Sequence, residues 1–196
     1  MGETLETDSL PAILDVRTIY LQTAARAFAE TDRVLARFPA AEIVEVASHW
    51  RIPELHGNVE LETEWNRTKR TTLVLGVKSR YAFRPNGRSA DYIGPGTANG
   101  CAMSCAYCYV ARRKGAANPI TLFVNVEAAI EATRKFAAGL PPKPPIQTDP
   151  EFWTFDIGEN SDVSLDATLG DAPRRQIEAF REIPNAKATF ATKFVN

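Results

Sequence analysis

The sequence has 196 residues, 44% of them hydrophobic, and this composition predicts a globular chain with a sizeable core rather than a disordered one. Its 23 basic and 24 acidic residues give a net charge of -1, so any basic surface must be local. The polar, acidic start does not have the pattern of a signal peptide and no apolar run is long enough to span a membrane, so we predict a cytoplasmic protein without membrane contact.

A flexible leader is predicted for residues 1–12 and a small α/β lobe for residues 13–87. Hydrophobic periodicity and helix-stop signals predict the elements of this lobe: a strand at 15–20, a helix at 24–38, a strand at 42–50 and a strand at 71–79. The polar segment between the last two strands is predicted to be an irregular link.

Strands and helices alternate in the second predicted part, residues 88–196. After the cysteine-containing loop the pattern predicts strands at 120–126, 152–158 and 187–195 and helices at 127–139 and 173–183. Such alternation is typical of βαβ units with a parallel sheet, in a doubly wound fold or in part of a (βα) barrel. An eight-unit barrel needs about 250 residues, so these units would form about half of one.

All three cysteines lie in one short stretch, GCAMSCAYCYV, at residues 100–110. Cys101, Cys105 and Cys108 follow a glycine-rich turn, and an odd, clustered set cannot form a self-contained disulfide framework. Three thiolates on one loop can face a common point, as a polynuclear iron centre requires, and would leave one iron open to a substrate or cofactor. The alternative is a zinc site of three cysteines and one histidine, although His49 and His56 lie far upstream.

The surrounding sequence carries a resemblance to a known family. Four segments carry it: SADYIGPGTANGCAMSCAYCYV, ITLFVNV, SDV at 161–163 and FATKF at 190–194. They resemble the spore photoproduct lyase family of radical S-adenosylmethionine (SAM) enzymes, in particular its lyase-like relatives. TLVLGVKS and ASHW extend the resemblance over nearly all of residues 13–196. It implies an α/β fold with a partial (βα) barrel of radical SAM type, apparently truncated after about four strands and preceded by the N-terminal lobe.

The resemblance also implies cofactors and a reaction. In that family three cysteines, here Cys101, Cys105 and Cys108, hold a [4Fe-4S] cluster whose fourth iron binds SAM. Reductive cleavage of SAM then gives a 5′-deoxyadenosyl radical, which starts repair of a UV thymine photoproduct in DNA, a carbon–carbon lyase reaction. The implied partners are DNA and an electron donor such as flavodoxin or ferredoxin.

Further site residues follow from the same resemblance. Tyr107 and Tyr109 match aromatic positions beside the cluster; Tyr109 is expected to relay a hydrogen atom, and Tyr107 is expected mainly to pack. The expected SAM-binding residues are Ser161, Asp162, Lys193 and Glu159. An ammonium group such as that of Lys193 suits the carboxylate of SAM.

One position departs from the family pattern. The lyases have a further cysteine just before the Ser-Asp pair, which returns a hydrogen atom to the repaired thymine, whereas this position falls here on Glu159 or Asn160. A carboxylate or amide cannot donate a hydrogen atom as a thiol does. Two alternatives therefore stay open: a radical SAM enzyme that acts on a different substrate, and a non-catalytic fragment or zinc-binding module.

Contact with DNA would need a local basic rim around a deep pocket. The candidate phosphate contacts are Lys69, Arg70, Lys78, Arg80, Arg84, Arg88, Arg112, Arg113 and Lys114.

Overall fold

The computed structural model describes residues 13–55, 64–103, 105–108, 110, 118–145 and 148–194. Its strands are β1 (Thr18–Gln22), β2 (Glu42–Val46), β3 (Thr72–Gly76), β4 (Arg84–Pro85), β5 (Tyr92–Ile93), β6 (Ala98–Asn99), β7 (Ile120–Phe123), β8 (Trp153–Asp156) and β9 (Ala186–Thr189). Its α-helices are α1 (Ala29–Arg37), α2 (Trp65–Thr71), α3 (Val126–Ala138), α4 (Val163–Asp166) and α5 (Ala172–Ala179).

The strands form two mixed sheets. The first has the order β2-β1-β3-β7-β6 and the second the order β4-β5-β8-β9. Within the first sheet β2, β1, β3 and β7 are parallel, and β6 is antiparallel to β7. Within the second, β5, β8 and β9 are parallel and β4 is antiparallel. The fold is therefore mixed α/β, with the expected parallel pairs and antiparallel strands beside them.

The segment from β5 to β6 connects the two sheets. Its first residues pair with β8 and its last residues pair with β7. Strand β3, from the predicted N-terminal lobe, also pairs with β7, from the predicted second part. The two predicted parts thus share a sheet, and their division at residue 88 stays a prediction.

Alternating residues of the first sheet form the larger core. Ile19 and Leu21 of β1 and Leu75 of β3 are fully buried, and they share one cluster with Val34 of α1 and Leu165 of α4. Each fully buried side chain of this size contributes about 1.5–3 kcal/mol. On the opposite face Val74 packs with Ile52 and Leu55, which explains why β3 is buried along its whole length.

Aromatic rings form the core beside the second sheet. Phe155 of β8 is fully buried, and its ring lies 5.8 Å from that of Phe180 and 6.0 Å from that of Phe136. Phe83 stacks on Phe136 of α3 at a centroid distance of 4.2 Å. These contacts hold α3 and the segment before β4 against the sheet that leads into the candidate site.

The predicted elements are present, but several boundaries differ. The helix predicted at 24–38 is divided into a 3-10 helix (Thr23–Ala27) and α1, because Phe28 between them is extended, with φ -111° and ψ 129°. The prediction of an irregular link before the strand at 71–79 was wrong in part, because this segment contains α2. The last predicted strand ends early, at Thr189. None of the helices in the described ranges is long and apolar enough to cross a membrane.

Candidate functional site

A tightly fitted glycine leads into the cysteine loop. Gly100 has φ 83°, and a Cβ there would lie 2.2 Å from the carbonyl oxygen of Pro119. Its N–H donates to the carbonyl of Asn160 at 2.8 Å. Only glycine combines this positive φ with so close an approach. The start of the loop is therefore fixed between the residues before β7 and those after β8.

The three cysteines line a single pocket of about 140 Å³. Its other lining residues are Trp65, Asn66, Lys69, Met103, Val110 and Asn118. None of the cysteines is in a disulfide. The N–H of Cys108 donates to the carbonyl of Cys105 at 2.9 Å, and the N–H of Met103 donates to Cys101 Sγ at 3.4 Å. The three cysteines thus share one partly apolar space.

The pocket fits an iron–sulfur cluster by its donor set. Burial raises the pKa of Cys101 to about 12, with a smaller opposing effect from the Met103 N–H. A cluster would replace this thiol proton, because cluster ligands are thiolates. Within the residues that the structure describes, no three His, Cys, Asp or Glu side chains form a group that could hold a metal ion. The fit therefore rests on the shared pocket and on the sulfur chemistry.

Lys69 is a pocket residue that the sequence analysis assigned elsewhere. It lies on α2, is only 6% exposed, and lines the same pocket as the three cysteines. This burial contradicts its prediction as a phosphate contact on a basic rim. The residue could not be placed correctly because α2 falls in a segment that was predicted to be irregular.

Asp162 and Lys193 are neighbours, but through the backbone of Lys193. Asp162 is 5% exposed, and its Oδ2 accepts from the N–H of Lys193 at 2.7 Å and that of Phe194 at 3.2 Å. Its Oδ1 accepts from Thr192 Oγ1 at 2.6 Å and from the N–H of Leu165, at the start of α4, at 3.2 Å. Asp162 therefore fixes the segment after β9, while Lys193 itself is exposed.

Ser161 lies beside a second buried carboxyl group, Asp166. Asp166 is 1% exposed, and neither of its oxygens has a hydrogen-bond partner of good geometry among the described residues. Burial raises the pKa of Asp166 well above its ordinary value, and the charge of Asp162 raises it further, whereas Ser161 lowers it. Burial of Asp166 therefore favours the neutral form of its carboxyl group.

Glu159 and Asn160 occupy the place of the cysteine that the family resemblance leads one to expect. The Glu159 carboxylate forms an ion pair with the Arg84 guanidinium, and Asn160 Nδ2 donates to Glu159 Oε2 at 3.1 Å. The side chain of Glu159 is 11% exposed and that of Arg84 is 54% exposed. The two candidate positions thus carry a paired carboxylate and an amide rather than a thiol.

Of the two tyrosines expected beside the cluster, Tyr107 lies within the described residues. Tyr107 is 74% exposed, so it does not cover the cysteines as expected of a packing residue. Tyr109 lies outside the described residues, as do Arg112, Arg113 and Lys114. His49 does not line the cysteine pocket, and His56 is also outside the described ranges.

Basic side chains line three adjoining pockets. The first pocket, of about 140 Å³, is lined by Lys78, Arg80 and Arg84. The second, of about 460 Å³, is lined by Lys78 and Arg80. The third, of about 550 Å³, is lined by Arg84 and Arg88. Glu159 lines the first and third pockets. These four predicted phosphate contacts therefore lie together around the end of β8.

The fold and the cysteine loop define the class as an α/β protein with a radical SAM motif. The family model for spore photoproduct lyase matches residues 15–196. The chain belongs to the spore photoproduct lyase family, which is a radical SAM family.

Curated relatives agree with this assignment. The chain is 31% identical to the spore photoproduct lyase of Bacillus subtilis (strain 168) over 153 residues, which cover 78% of this chain and 42% of that protein. It is 25% identical to the spore photoproduct lyase of Geobacillus sp. (strain Y412MC61) over 180 residues, covering 91% of this chain and 50% of that protein. The chain thus spans about half the length of these relatives.

Solved structures show the same fold. A spore photoproduct lyase complexed with dinucleoside spore photoproduct superposes with a TM-score of 0.78 at 22% identity, covering 92% of this chain and 51% of that one. A double mutant of spore photoproduct lyase with bound AdoMet and dinucleoside spore photoproduct has a TM-score of 0.79, with the same identity and coverage.

Proposed function

We propose that the chain holds a [4Fe-4S] cluster on Cys101, Cys105 and Cys108 and binds SAM beside it. The observation that carries this proposal is that the three cysteines line one pocket, with no disulfide among them. When bound, the cluster would supply the electron for reductive cleavage of SAM to methionine and a 5′-deoxyadenosyl radical. We further propose that residues 88–196 form part of the (βα) barrel of a radical SAM protein, preceded by the lobe of residues 13–87, in the cytoplasm, where thiols stay reduced.

The chain's own residues would bind and orient SAM. The exposed ammonium of Lys193 suits the SAM carboxylate, and Asp162 holds the backbone that carries it. Ser161 precedes Asp162 and adds a hydroxyl at the same loop, and Glu159 would accept from the SAM ammonium or ribose. Tyr109 is the proposed hydrogen-atom relay, with Tyr107 on the same loop.

The proposed substrate is a UV thymine photoproduct in DNA. Two observations support it: the curated relatives are spore photoproduct lyases, and Lys78, Arg80, Arg84 and Arg88 line adjoining pockets beside Glu159. Basic side chains in this arrangement would neutralise the phosphates on both sides of a turned-out lesion. The electron donor would be a small redox protein such as flavodoxin or ferredoxin.

A different substrate is the second candidate, and the Arg84–Glu159 ion pair favours it. A thiol at this position could return a hydrogen atom to a thymine radical, whereas a carboxylate held by a guanidinium cannot. The two candidates are separated by incubating the reconstituted, reduced protein with irradiated DNA that contains the photoproduct. Restored thymine supports repair; SAM cleavage without restored thymine supports the different substrate.

A Glu159→Cys variant sharpens this comparison. If the chain repairs the photoproduct and lacks only a hydrogen-atom donor, Glu159→Cys should restore more thymine per SAM cleaved than the wild type does. Glu159→Gln is the matched control, because it removes the charge without adding a thiol. Equal yields from all three proteins would reject the donor argument.

Assembly of the cluster is tested by anaerobic reconstitution with iron and sulfide. We expect a brown protein whose reduced form gives the electron paramagnetic resonance (EPR) signal of a [4Fe-4S] cluster, and Cys105→Ala should lose iron, sulfide and colour together. Ser164→Ala, outside the loop, is the control variant. A colourless protein that retains stoichiometric zinc would reject the proposal and favour the zinc-binding alternative.

A further inference from the structure

The pocket of about 460 Å³ has an aromatic wall that no role above uses. The rings of His49 and Trp50 are 5.1 Å apart and tilted by 44°, and those of His49 and Phe123 are 5.5 Å apart and nearly perpendicular, at 75°. All three residues line the pocket, and Trp50 is 56% exposed. An indole this exposed at the edge of a pocket offers a flat face to a ligand.

The wall is held rigidly by polar contacts behind it. His49 Nδ1 lies 2.7 Å from Gln22 Oε1, which also accepts the N–H of Val77 at 2.9 Å. Gly76 leaves room for the imidazole, since a Cβ there would lie 2.7 Å from His49 Cγ. His49 is 7% exposed and its ring is oriented by the contact with Gln22, so Trp50 packs against a buried, hydrogen-bonded side chain. A preorganised stacking face loses little entropy when a ligand binds.

Positive charge and amides surround the same pocket. Lys78 Nζ lies 4.5 Å from the centre of the Phe123 ring, and the exposed Arg80 lines the pocket beside it. The side chains of Asn99 and Asn160 complete the lining with groups that can both donate and accept. Aromatic rings combined with basic groups are the features that bind a base and its phosphate in single-stranded nucleic acids.

We propose that this pocket binds one unpaired nucleotide, with its base stacked on Trp50 and its phosphate at Lys78 and Arg80. The inference builds on the proposed action on nucleic acid but needs neither cluster nor SAM. Lys78 and Arg80 also line the neighbouring pocket that contains Glu159, so the bound nucleotide lies next to the proposed reaction site. The pocket therefore holds a nucleotide that flanks the one on which the chemistry takes place.

The test is binding of a fluorescein-labelled oligothymidylate to the 196-residue chain, followed by anisotropy. Trp50→Leu should weaken binding on the order of ten-fold, whereas Trp50→Phe should retain most of the affinity, because phenylalanine still stacks. Circular dichroism of both variants checks that they fold. Equal affinity of wild type and Trp50→Leu, or no binding by the wild type, overturns the proposal.

The phosphate contact is tested through the salt dependence of the same binding. Arg80→Gln should reduce the slope of log K against log salt by about 0.7, the value for one phosphate contact on a single strand. Lys135→Gln, on α3 and 78% exposed, is the matched control and should leave the slope unchanged. An unchanged slope for Arg80→Gln rejects the assigned phosphate contact. The same measurement with labelled oligouridylate distinguishes DNA from RNA as the ligand. Tighter binding of oligothymidylate assigns DNA, and tighter binding of oligouridylate assigns RNA.

These results are independent of the radical chemistry. If the chain binds the oligonucleotide through Trp50 but assembles no cluster, the proposed nucleotide pocket is supported and the proposed cofactor is rejected. A chain that assembles the cluster and is unaffected by Trp50→Leu rejects the pocket and keeps the cofactor.

Discussion

The carboxylate of Asp162 accepts a hydrogen bond from the backbone N–H of Lys193 at 2.7 Å. Both residues were expected to contact SAM, and the structure connects them to each other. Within the described residues, the carboxylate of Asp162 accepts four hydrogen bonds, all from the chain itself, so the role we propose for it is to position the segment that carries Lys193.

Asp162→Asn should therefore lower both stability and SAM binding. The amide retains one oxygen acceptor and loses the other, so buried N–H or O–H groups are left unpaired at a cost of about 1–3 kcal/mol. Chemical denaturation and equilibrium SAM binding measure the two effects. Lys193→Met is the matched variant: its side chain is exposed, so it should weaken SAM binding without changing stability. Unchanged stability of Asp162→Asn would contradict the positioning role.

Lys69 should raise the reduction potential of the proposed cluster. Its ammonium is a positive charge in the pocket of the three cysteines, and a nearby cation favours the more negatively charged reduced state. Lys69→Met should lower the midpoint potential on the order of tens of millivolts, measured by an EPR-monitored redox titration. Lys69→Arg should restore it. Equal potentials in all three proteins would limit Lys69 to a packing role.

Asp166 should make the stability of the metal-free chain depend on pH. Burial raises its folded-state pKa, so its full contribution is present below the unfolded pKa of about 4 and is lost as the pH rises toward the folded value. Over the pH range above the unfolded pKa, the wild type should lose free energy of unfolding relative to Asp166→Asn as the pH rises. Urea denaturation across this range measures the difference, and parallel curves would exclude an ionisable role.

Asp91 should be essential for folding rather than for chemistry. It lies in the SADYIG segment that precedes the cysteine loop, and its side chain pairs with Lys143, the two side chains being 4% and 2% exposed. Burial would raise the pKa of Asp91, but hydrogen bonds from Lys143 and Thr154 outweigh it, so the pKa is lowered. Asp91→Asn leaves the ammonium without its countercharge, which costs about 3–5 kcal/mol.

The control for Asp91 is an exposed pair. Glu131 and Lys135 on α3 are 3.5 Å apart, with side chains 55% and 78% exposed. Glu131→Gln should change the free energy of unfolding little, because water screens such a pair. A loss for Asp91→Asn no larger than that for Glu131→Gln would contradict the structural role of the buried pair.

Local patterns were sufficient to predict much of this molecule. Alternation and helical spacing predicted β1, β2, β3 and α3, and the motifs around the cysteines predicted the family to which the chain belongs. These features depend on residues close in sequence, where periodicity is informative. The basic character of the segment around Arg84 was also predicted, because the charge of a side chain follows directly from the residue type.

Long-range contacts could not be predicted in the same way. The contact between Asp162 and Lys193 joins residues 31 positions apart, and the Arg84–Glu159 pair joins residues 75 positions apart. Helix α2 was missed because its seven residues, WNRTKRT, are mostly polar and carry no apolar stripe, and Lys69 was misassigned as a result. Such placements depend on tertiary packing, which overrides local propensity.

The most direct test of the central claim is formation of 5′-deoxyadenosine from SAM by the reconstituted chain after reduction with dithionite. We expect the wild type to form 5′-deoxyadenosine and methionine in equal amounts, and Cys101→Ala, Cys105→Ala and Cys108→Ala each to form none. A wild-type protein that carries the full cluster yet leaves SAM intact, or a cysteine variant that still cleaves it, would contradict the proposed radical SAM site.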